Sequence, residues 1–376
     1  MIKPWDDIHY NFRRIDGANK TFNLIVSARE AGKTSAAVVI KAWKVFKEKN
    51  WKTIFLRRQI ADITDLYIES FQEILNTFID EDIRLEYKKL DKSSGSVKIY
   101  CESPITGKKE LFIVIIGMSQ RIQRIKSNVV RNLAYIFYDE FLVNPKWKES
   151  YLPYEMDKVK ETYSTFKRYL PYEWEQAGKY VKIYFLGNPY TVYSPFTEAF
   201  GVDYSKMAPG AFLLGDTWAV ENYRLHPKLV EKIKKDNPFY QQDDEYTNYA
   251  LKGIAINDQN IRLGKRTNGF VLKFVIDIEG QRIGIYRNNN QEFNQQDRYY
   301  CGKDVPANIN RDVFCFDFED LSGNKILYNK KDNVSFELFK IAMRNNWVIF
   351  DDLGTYYKIR NAYVFMWRRK RWQDQA

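Results

Sequence analysis

The chain has 376 residues, a formal net charge of +11, 45% hydrophobic and 16% aromatic residues, which fits two domains with sizeable cores and excludes wholesale disorder. The positive charge favours a polyanionic partner, either nucleic acid or an anionic surface. Cys101, Cys301 and Cys315 form no metal-like pair and no disulfide framework, and with only His9 and His226 beside them the composition argues against a zinc site. The opening MIKPWDDIHY lacks the apolar core of a signal peptide, and LFIVIIGM (111–118) is too short to span a bilayer, so a cytosolic chain with no membrane partner is expected.

In chain order, strand-like runs fall at 21–26, 53–57, 96–101, 111–117, 133–139 and 181–187. Helix-like segments fall at 34–49, 66–78 and 154–170. Strands alternating with helices predict an α/β domain built on a mostly parallel sheet covered on both faces, over residues 1–218. SPITGKK (103–109) predicts a local hairpin inserted into that plan. Residues 219–254 are polar and helical in pattern and are expected to form a helical linker domain. From 255 to 376 short strands (270–278, 282–288, 312–318) precede a helical stretch at 335–346 and a terminal helix, an α+β pattern. RNNNQEFNQQD (287–297) is a polar loop with no readable function.

The first chemistry lies in FNLIVSAREAGKTSAAVVI (22–40). A P-loop reads G-x-x-x-x-G-K-[ST]. Here Ser27 stands at the first glycine position, Ala28, Arg29, Glu30 and Ala31 follow, and Gly32-Lys33-Thr34 complete the motif. Backbone N–H groups at the start of a helix suit phosphate oxygens. Lys33 would reach the β- and γ-phosphates of ATP, and the Thr34 hydroxyl would bind Mg²⁺. A Gly-Lys-Thr triplet alone is an ordinary turn. The β-rich run before it and the Ala/Val-rich helix after it make the cradle.

LAYIFYDEF (133–141) supplies the matching Walker B strand, with Asp139 for the metal and Glu140 to polarise the attacking water. An acid directly after the metal-holding Asp is the pattern of additional-strand, catalytic-glutamate (ASCE-type) ATPases. A further strand in that class ends in a polar residue that senses the γ-phosphate, and VKIYFLGNP (181–189) offers Asn188. The same Gly-Asn-Pro is also plain turn chemistry.

Taken in order, SAREAGKT, TIFLRR (53–58), RIKSNVVRNLAYIFYDEF (124–141), YLPYEMD (151–157) and STFKR (164–168) resemble the DNA-packaging motor ATPases of small φ29-type podoviruses, relatives of the large terminases. The resemblance implies a translocase that packages viral double-stranded DNA into a preformed prohead. It would work in the host cytoplasm as a homopentameric ring on the portal vertex, with a structural prohead RNA between shell and ATPase. It implies hydrolysis at subunit interfaces, with Arg168 as the arginine inserted into a neighbour's site, Lys126 as a second candidate, and Arg29 as a possible contact in cis. It also implies that residues 255–376 form an RNase H-like domain, a vestigial nuclease. Asp277, Asp317, Glu319, Asp351 and Asp352 are the carboxylates available for metal there, with no second acidic strand evident. MWRRKRW (366–372) interleaves tryptophan with basic residues, which suits phosphate contact and stacking; the alternative is a solvated helix face. The basic loops EYKKLDKSSGSVK (86–98) and TGKK (106–109) could face DNA. Competing readings are a large terminase with a working nuclease, a helicase or conjugation-type pump, and a nucleic-acid-binding protein with a dead P-loop.

Overall fold

Apolar runs of this length satisfy their backbone groups by pairing edge to edge. In the computed structural model the described residues do so in two sheets. The structure describes residues 3, 5–89, 95–144, 149–191, 193–202, 206–242, 247–252, 261–290, 297–316, 321–327 and 334–373, with the backbone alone at 88, 89, 248, 249 and from 364. Two compact units result, one of residues 1–143 with 155–256, the other of residues 144–154 with 257–376. Among the described residues no helix is long and apolar enough to cross a membrane.

The strands of the first unit are β1 (Phe22–Ser27), β2 (Lys52–Arg57), β3 (Glu86–Lys89), β4 (Ser96–Glu102), β5 (Lys109–Gly117), β6 (Leu133–Asp139), β7 (Lys182–Gly187), β8 (Phe212–Leu214) and β9 (Trp218–Tyr223). They lie in the order β3-β4-β5-β2-β6-β7-β1-β9-β8. From β5 to β9 all neighbours are parallel, and β2 is buried at every position, as a strand covered on both faces must be. The parallel α/β domain expected from the sequence is therefore present. The hairpin expected around 103–109 is the antiparallel pair β4 and β5, with Gly107 at φ 62 in the connection.

Because the strands run in parallel, their C-terminal ends meet at one edge. Register places Val26 of β1 beside Gly187 of β7, and Leu186 of β7 beside Asp139 of β6. β1 and β6 are thus separated by one strand, β7. The helix after the P-loop runs through Lys33–Ala36, takes π-type turns over Ala37–Trp43 and returns to α-type over Lys44–Lys49. Its Ala37, Val38, Val39, Ala42, Trp43 and Phe46 are buried in the core.

The segment expected as a separate helical linker (219–254) is placed differently. Its first residues form β9, paired to β1, so the expected border at 218/219 falls inside a strand. Leu229, Ile233, Tyr240, Ala250 and Leu251 join the core of the first unit. The helix Pro227–Asp236 does form, with Pro227 at its first turn, but its apolar stripe is buried in the first unit.

In the second unit β10 (Phe270–Ile278), β11 (Gln281–Asn288), β12 (Tyr299–Gly302), β13 (Val313–Cys315), β14 (Lys325–Leu327) and β15 (Val348–Phe350) lie in the order β14-β13-β10-β11-β12-β15. β10, β11 and β12 form an antiparallel meander, while β13 runs parallel to β10 and β14 parallel to β13. β15 runs parallel to β12 at the other edge, and the whole is the α+β pattern expected for the C-terminal part. Glu279 (φ 52) and Gly280 (φ 77) make the tight turn from β10 to β11. Phe274, Ile276, Ile283, Ile285 and Phe314 on one face of the sheet share a core with Phe336, Phe339 and Ala342 of the helix Val334–Arg344.

Candidate nucleotide-binding site

Between β1 and its helix the chain reverses through residues 28–32. Two residues there carry positive φ, Glu30 at 60° and Gly32 at 78°. Gly32 also lies against His9, whose ring a Cβ at position 32 would meet at an ordinary contact distance of 3.4 Å, so it is the positive φ that calls for glycine. Ser27, at the first glycine position of the motif, has no positive φ and is fully buried. Its hydroxyl donates to the Ala28 carbonyl at 3.1 Å and accepts from Lys33 Nζ at 2.7 Å. The departure from glycine thus puts a hydrogen-bonding group into the loop without straining it. Ala31 closes the turn, its carbonyl accepting from the Tyr10 N–H at 2.9 Å.

Lys33 Nζ also donates to the carbonyls of Ser27 (3.2 Å) and Ala28 (3.3 Å) and to Asn188 Oδ1 (3.2 Å). Asn188 stands at the tip of β7, where a γ-phosphate sensor was expected. Burial pulls the Lys33 ammonium down to about 8, against the opposing pull of Asp139 and Glu140. The charged fraction of Lys33 therefore falls as pH rises from 7 to 9, and affinity for inorganic tripolyphosphate is expected to fall with it. Titrations across that range check this, and a flat profile would remove Lys33 as the titrating contact.

On the facing strand end, Thr34 Oγ1 donates to Asp139 Oδ1 at 3.3 Å. Asp139 is buried, and that burial pushes its carboxyl up even though Arg57 pulls it down. Arg57, at the end of β2, reaches Asp139 Oδ2 at 3.3 Å and Glu140 Oε2 at 2.6 Å. Tyr67 adds a hydrogen bond to Asp139 Oδ2 at 3.1 Å and lies under the Arg57 guanidinium. Glu140 has φ 57, which turns its side chain out of the strand direction, and that side chain is 59% exposed. A cleft of about 370 Å³ lies among Lys33, Thr34, Asp139, Glu140, Asn188 and Tyr240.

No family model matches the chain, and no curated protein matches its sequence. Among solved structures it is similar to the chain of "The Phi-28 gp11 DNA packaging Motor", at 17% identity and a TM-score of 0.62 over 96% of this chain and 98% of that one. It is likewise similar to a chain of "The bacteriophage Phi-29 viral genome packaging motor assembly", at 20% identity and a TM-score of 0.57 over 96% of this chain and 99% of that one. The chain has the packaging-motor fold.

Within that fold the residues expected from the sequence fall in three groups. Residues 29–34, Asp139, Glu140 and Asn188 line one cleft, while Ser27 and Ala28 bind Lys33 from beneath. Arg29 lines the cleft as well, with Nη2 donating to the Tyr190 hydroxyl at 2.9 Å. Arg168 and Lys126 do not line it. Arg168 is exposed in the short turn Lys167–Tyr169, and among the described residues no carboxylate pairs with it. Lys126 Nζ is 2.6 Å from Glu161 on the helix Glu155–Phe166.

In the second unit, Asp277 lies buried on β10, with Lys325 Nζ at 3.1 Å and Arg282 Nε at 3.7 Å. Asp352 pairs with Lys303 at 2.7 Å, and Asp351 accepts from the Lys303 N–H at 2.8 Å. Asp317 and Glu319 lie outside the described residues, as do the side chains of MWRRKRW (366–372) and residues 90–94 of the first basic loop. Among the described residues, no three His, Cys, Asp or Glu side chains are placed to hold a metal.

Sequence reasoning missed Arg57, Tyr67, Arg58 and Tyr240. A usable signal was present for the arginines: two of them directly follow an apolar strand, and the carboxyl ends of parallel strands are where sites of α/β folds assemble. Tyr67 and Tyr240 carry no such mark.

Proposed function

We propose that the chain is an ATP-driven translocase that packages viral double-stranded DNA into a preformed prohead, hydrolysing ATP at the subunit interfaces of a ring. The observation that carries this reading is the single cleft formed by Lys33, Thr34, Asp139, Glu140 and Asn188 at one edge of the parallel sheet. The likeness to packaging-motor chains over nearly the whole length supports it.

The geometry supports the following roles. Lys33 exchanges its carbonyl and hydroxyl partners for the β- and γ-phosphate oxygens of ATP. Thr34 Oγ1 and the Asp139 carboxylate converge as hard oxygen donors, the set Mg²⁺ prefers. When bound, Mg²⁺ neutralises charge on the phosphates. Glu140, the exposed acid beside Asp139, leaves Arg57 to orient the attacking water and accept its proton. Asn188, in contact with Lys33, reports on the γ-phosphate.

Arg168 is exposed and outside the cleft of its own subunit, which fits insertion into a neighbour's cleft. Lys126 is engaged with Glu161 and remains the second candidate. Arg168→Ala is expected to lower ATP turnover in the assembled motor about 10³-fold while leaving ATP binding by the isolated chain unchanged. Normal turnover in the assembled motor would remove the arginine from this role. The ring is a pentamer docked on the portal and on prohead RNA, working in the host cytoplasm at the portal vertex. The second unit is a vestigial nuclease that docks to nucleic acid or to the portal.

The test is DNA-stimulated ATP hydrolysis with purified proheads present and absent. Turnover that needs proheads supports the packaging motor. Full activity on DNA alone would favour a helicase or conjugation-type pump. Metal-dependent cleavage of plasmid DNA would instead make the chain a terminase with a working nuclease.

A further inference from the structure

The connection from β2 to the helix Asp65–Phe78 delivers two side chains to one carboxylate. Arg57 closes β2 and Tyr67 lies in the first turn of the helix, and both donate to Oδ2 of Asp139, at 3.3 Å and 3.1 Å. The other oxygen, Oδ1, is the one within reach of Thr34 Oγ1, at 3.3 Å. A carboxylate oxygen has room for about two donors, so Oδ2 is filled and Oδ1 is left to the Thr34 side.

The two donors differ. Arg57 is shared, since its Nη2 also holds Glu140 at 2.6 Å, and the role given to Glu140 requires that contact to break. Among the described residues the Tyr67 hydroxyl bonds to Asp139 alone. Its place is fixed from the backbone outward. Thr64 caps the helix, its hydroxyl accepting from the Tyr67 N–H at 3.1 Å. The Tyr67 ring packs perpendicular to that of buried Phe71, with centroids 5.3 Å apart, and carries the Arg57 guanidinium 4.6 Å above its own centre. Phe71 in turn packs on Phe55 of β2 with centroids 4.9 Å apart.

We propose that Tyr67 is a positioning residue for the metal site: its hydroxyl holds Oδ2 so that Oδ1 of Asp139 stays turned toward Thr34 and the Mg²⁺ that accompanies ATP. The proposal rests on the nucleotide reading above. A neutral donor suits the task, because it fixes the direction of a metal-binding carboxylate without placing a second positive charge beside the cation. Without the hydroxyl, that direction would depend on Arg57, which is itself released when Glu140 turns to the water.

The test is equilibrium binding of ATP to the full chain and to Tyr67→Phe, with Mg²⁺ titrated and with the metal chelated by EDTA. Phenylalanine keeps the ring between Phe71 and Arg57 and removes only the hydroxyl. Tyr67→Phe is expected to need roughly tenfold more Mg²⁺ for half-maximal enhancement of ATP binding, the lower end of what a lost outer contact to a metal ligand costs. In EDTA it should bind ATP as the unaltered protein does. In turnover the variant should show a raised KM for Mg²⁺, with kcat largely restored at saturating metal. An unchanged Mg²⁺ requirement would overturn the positioning role. Weaker binding in EDTA as well would assign the hydroxyl to the fold of the cleft and overturn it too. A measurement on the unaltered protein does not depend on the variant folding: ATP should bind more tightly with Mg²⁺ than in EDTA, and equal affinities would remove the metal from Asp139 and the proposal with it. ATP bound under neither condition would overturn the nucleotide reading itself.

Discussion

Glu140→Gln is expected to lower ATP turnover by roughly 10²–10⁴-fold, the usual worth of a positioned general base, with ATP still bound. Glutamine keeps the shape of the side chain and its reach to Arg57 Nη2, now 2.6 Å from Glu140. It removes the ability to accept a proton, together with the charge that pairs with Arg57. Lys33 keeps its bond to Ser27 and Thr34 its bond to Asp139, so the groups assigned to the phosphates and the metal stay in place, which is why binding and turnover should separate. Steady-state hydrolysis beside equilibrium ATP binding makes the measurement. Turnover near the unaltered rate would mean that another group activates water, and the assignment of Glu140 would fall. Loss of both binding and turnover would point to a structural role for the Arg57–Glu140 contact instead.

The second large effect is on stability. Arg58→Met is expected to cost about 3–5 kcal/mol, because it takes the two-oxygen guanidinium contact away from a buried carboxylate. Arg58 and Glu155 are 8% and 2% exposed, and Arg58 Nε lies 3.0–3.1 Å from both carboxylate oxygens of Glu155. Tyr138 donates its hydroxyl to the same carboxylate at 2.5 Å. A loss of this size in a unit of this length lowers Tm by on the order of 10 °C. Replacing both charges, as Arg58→Met with Glu155→Leu, should recover most of the stability, since apolar pairs often substitute well for buried ion pairs. The double variant should still hydrolyse poorly, because Arg58 also donates to the Glu140 carbonyl at 3.1 Å and to the Phe141 carbonyl and so fixes the turn that aims Glu140. Thermal and denaturant melts read the first effect and hydrolysis the second. A single variant that melts with the unaltered protein would mean that Glu155 finds water or another cation.

The phosphate cradle and the acid-tipped strand were legible because each is a local string whose chemistry does not depend on distant chain. A strand, a turn that needs positive φ at Gly32, and a helix with Lys33 and Thr34 at its start lie within one stretch of sequence. LAYIFYDE is likewise a buried strand and its end. What serine does at position 27, where the motif has glycine, was not legible. Its backbone conformation and its bond to Lys33 are properties of the folded loop.

The linker shows the opposite case. Pro227–Asp236 reads as an amphipathic helix, and it is one. A periodic apolar stripe says that a face is buried but not against what, and Leu229 and Ile233 pack in the first unit together with Ala219 and Tyr240. Lys126 is similar, since a basic residue does not announce a partner 35 positions away. The sequence by itself determined the α/β class, the strands near 21–26, 53–57, 96–101, 111–117, 133–139 and 181–187, and the local strings around Gly32-Lys33-Thr34 and Asp139-Glu140. Tertiary structure alone decided that β7 lies between β1 and β6 and brings Asn188 to Lys33, that Arg57 and Tyr67 reach Asp139, that Tyr240 lines the cleft, and that His9 stands beside Gly32. Strand order and these placements are set by long-range pairing and shared burial, and these depend on which surfaces complete one another in space rather than on any local pattern.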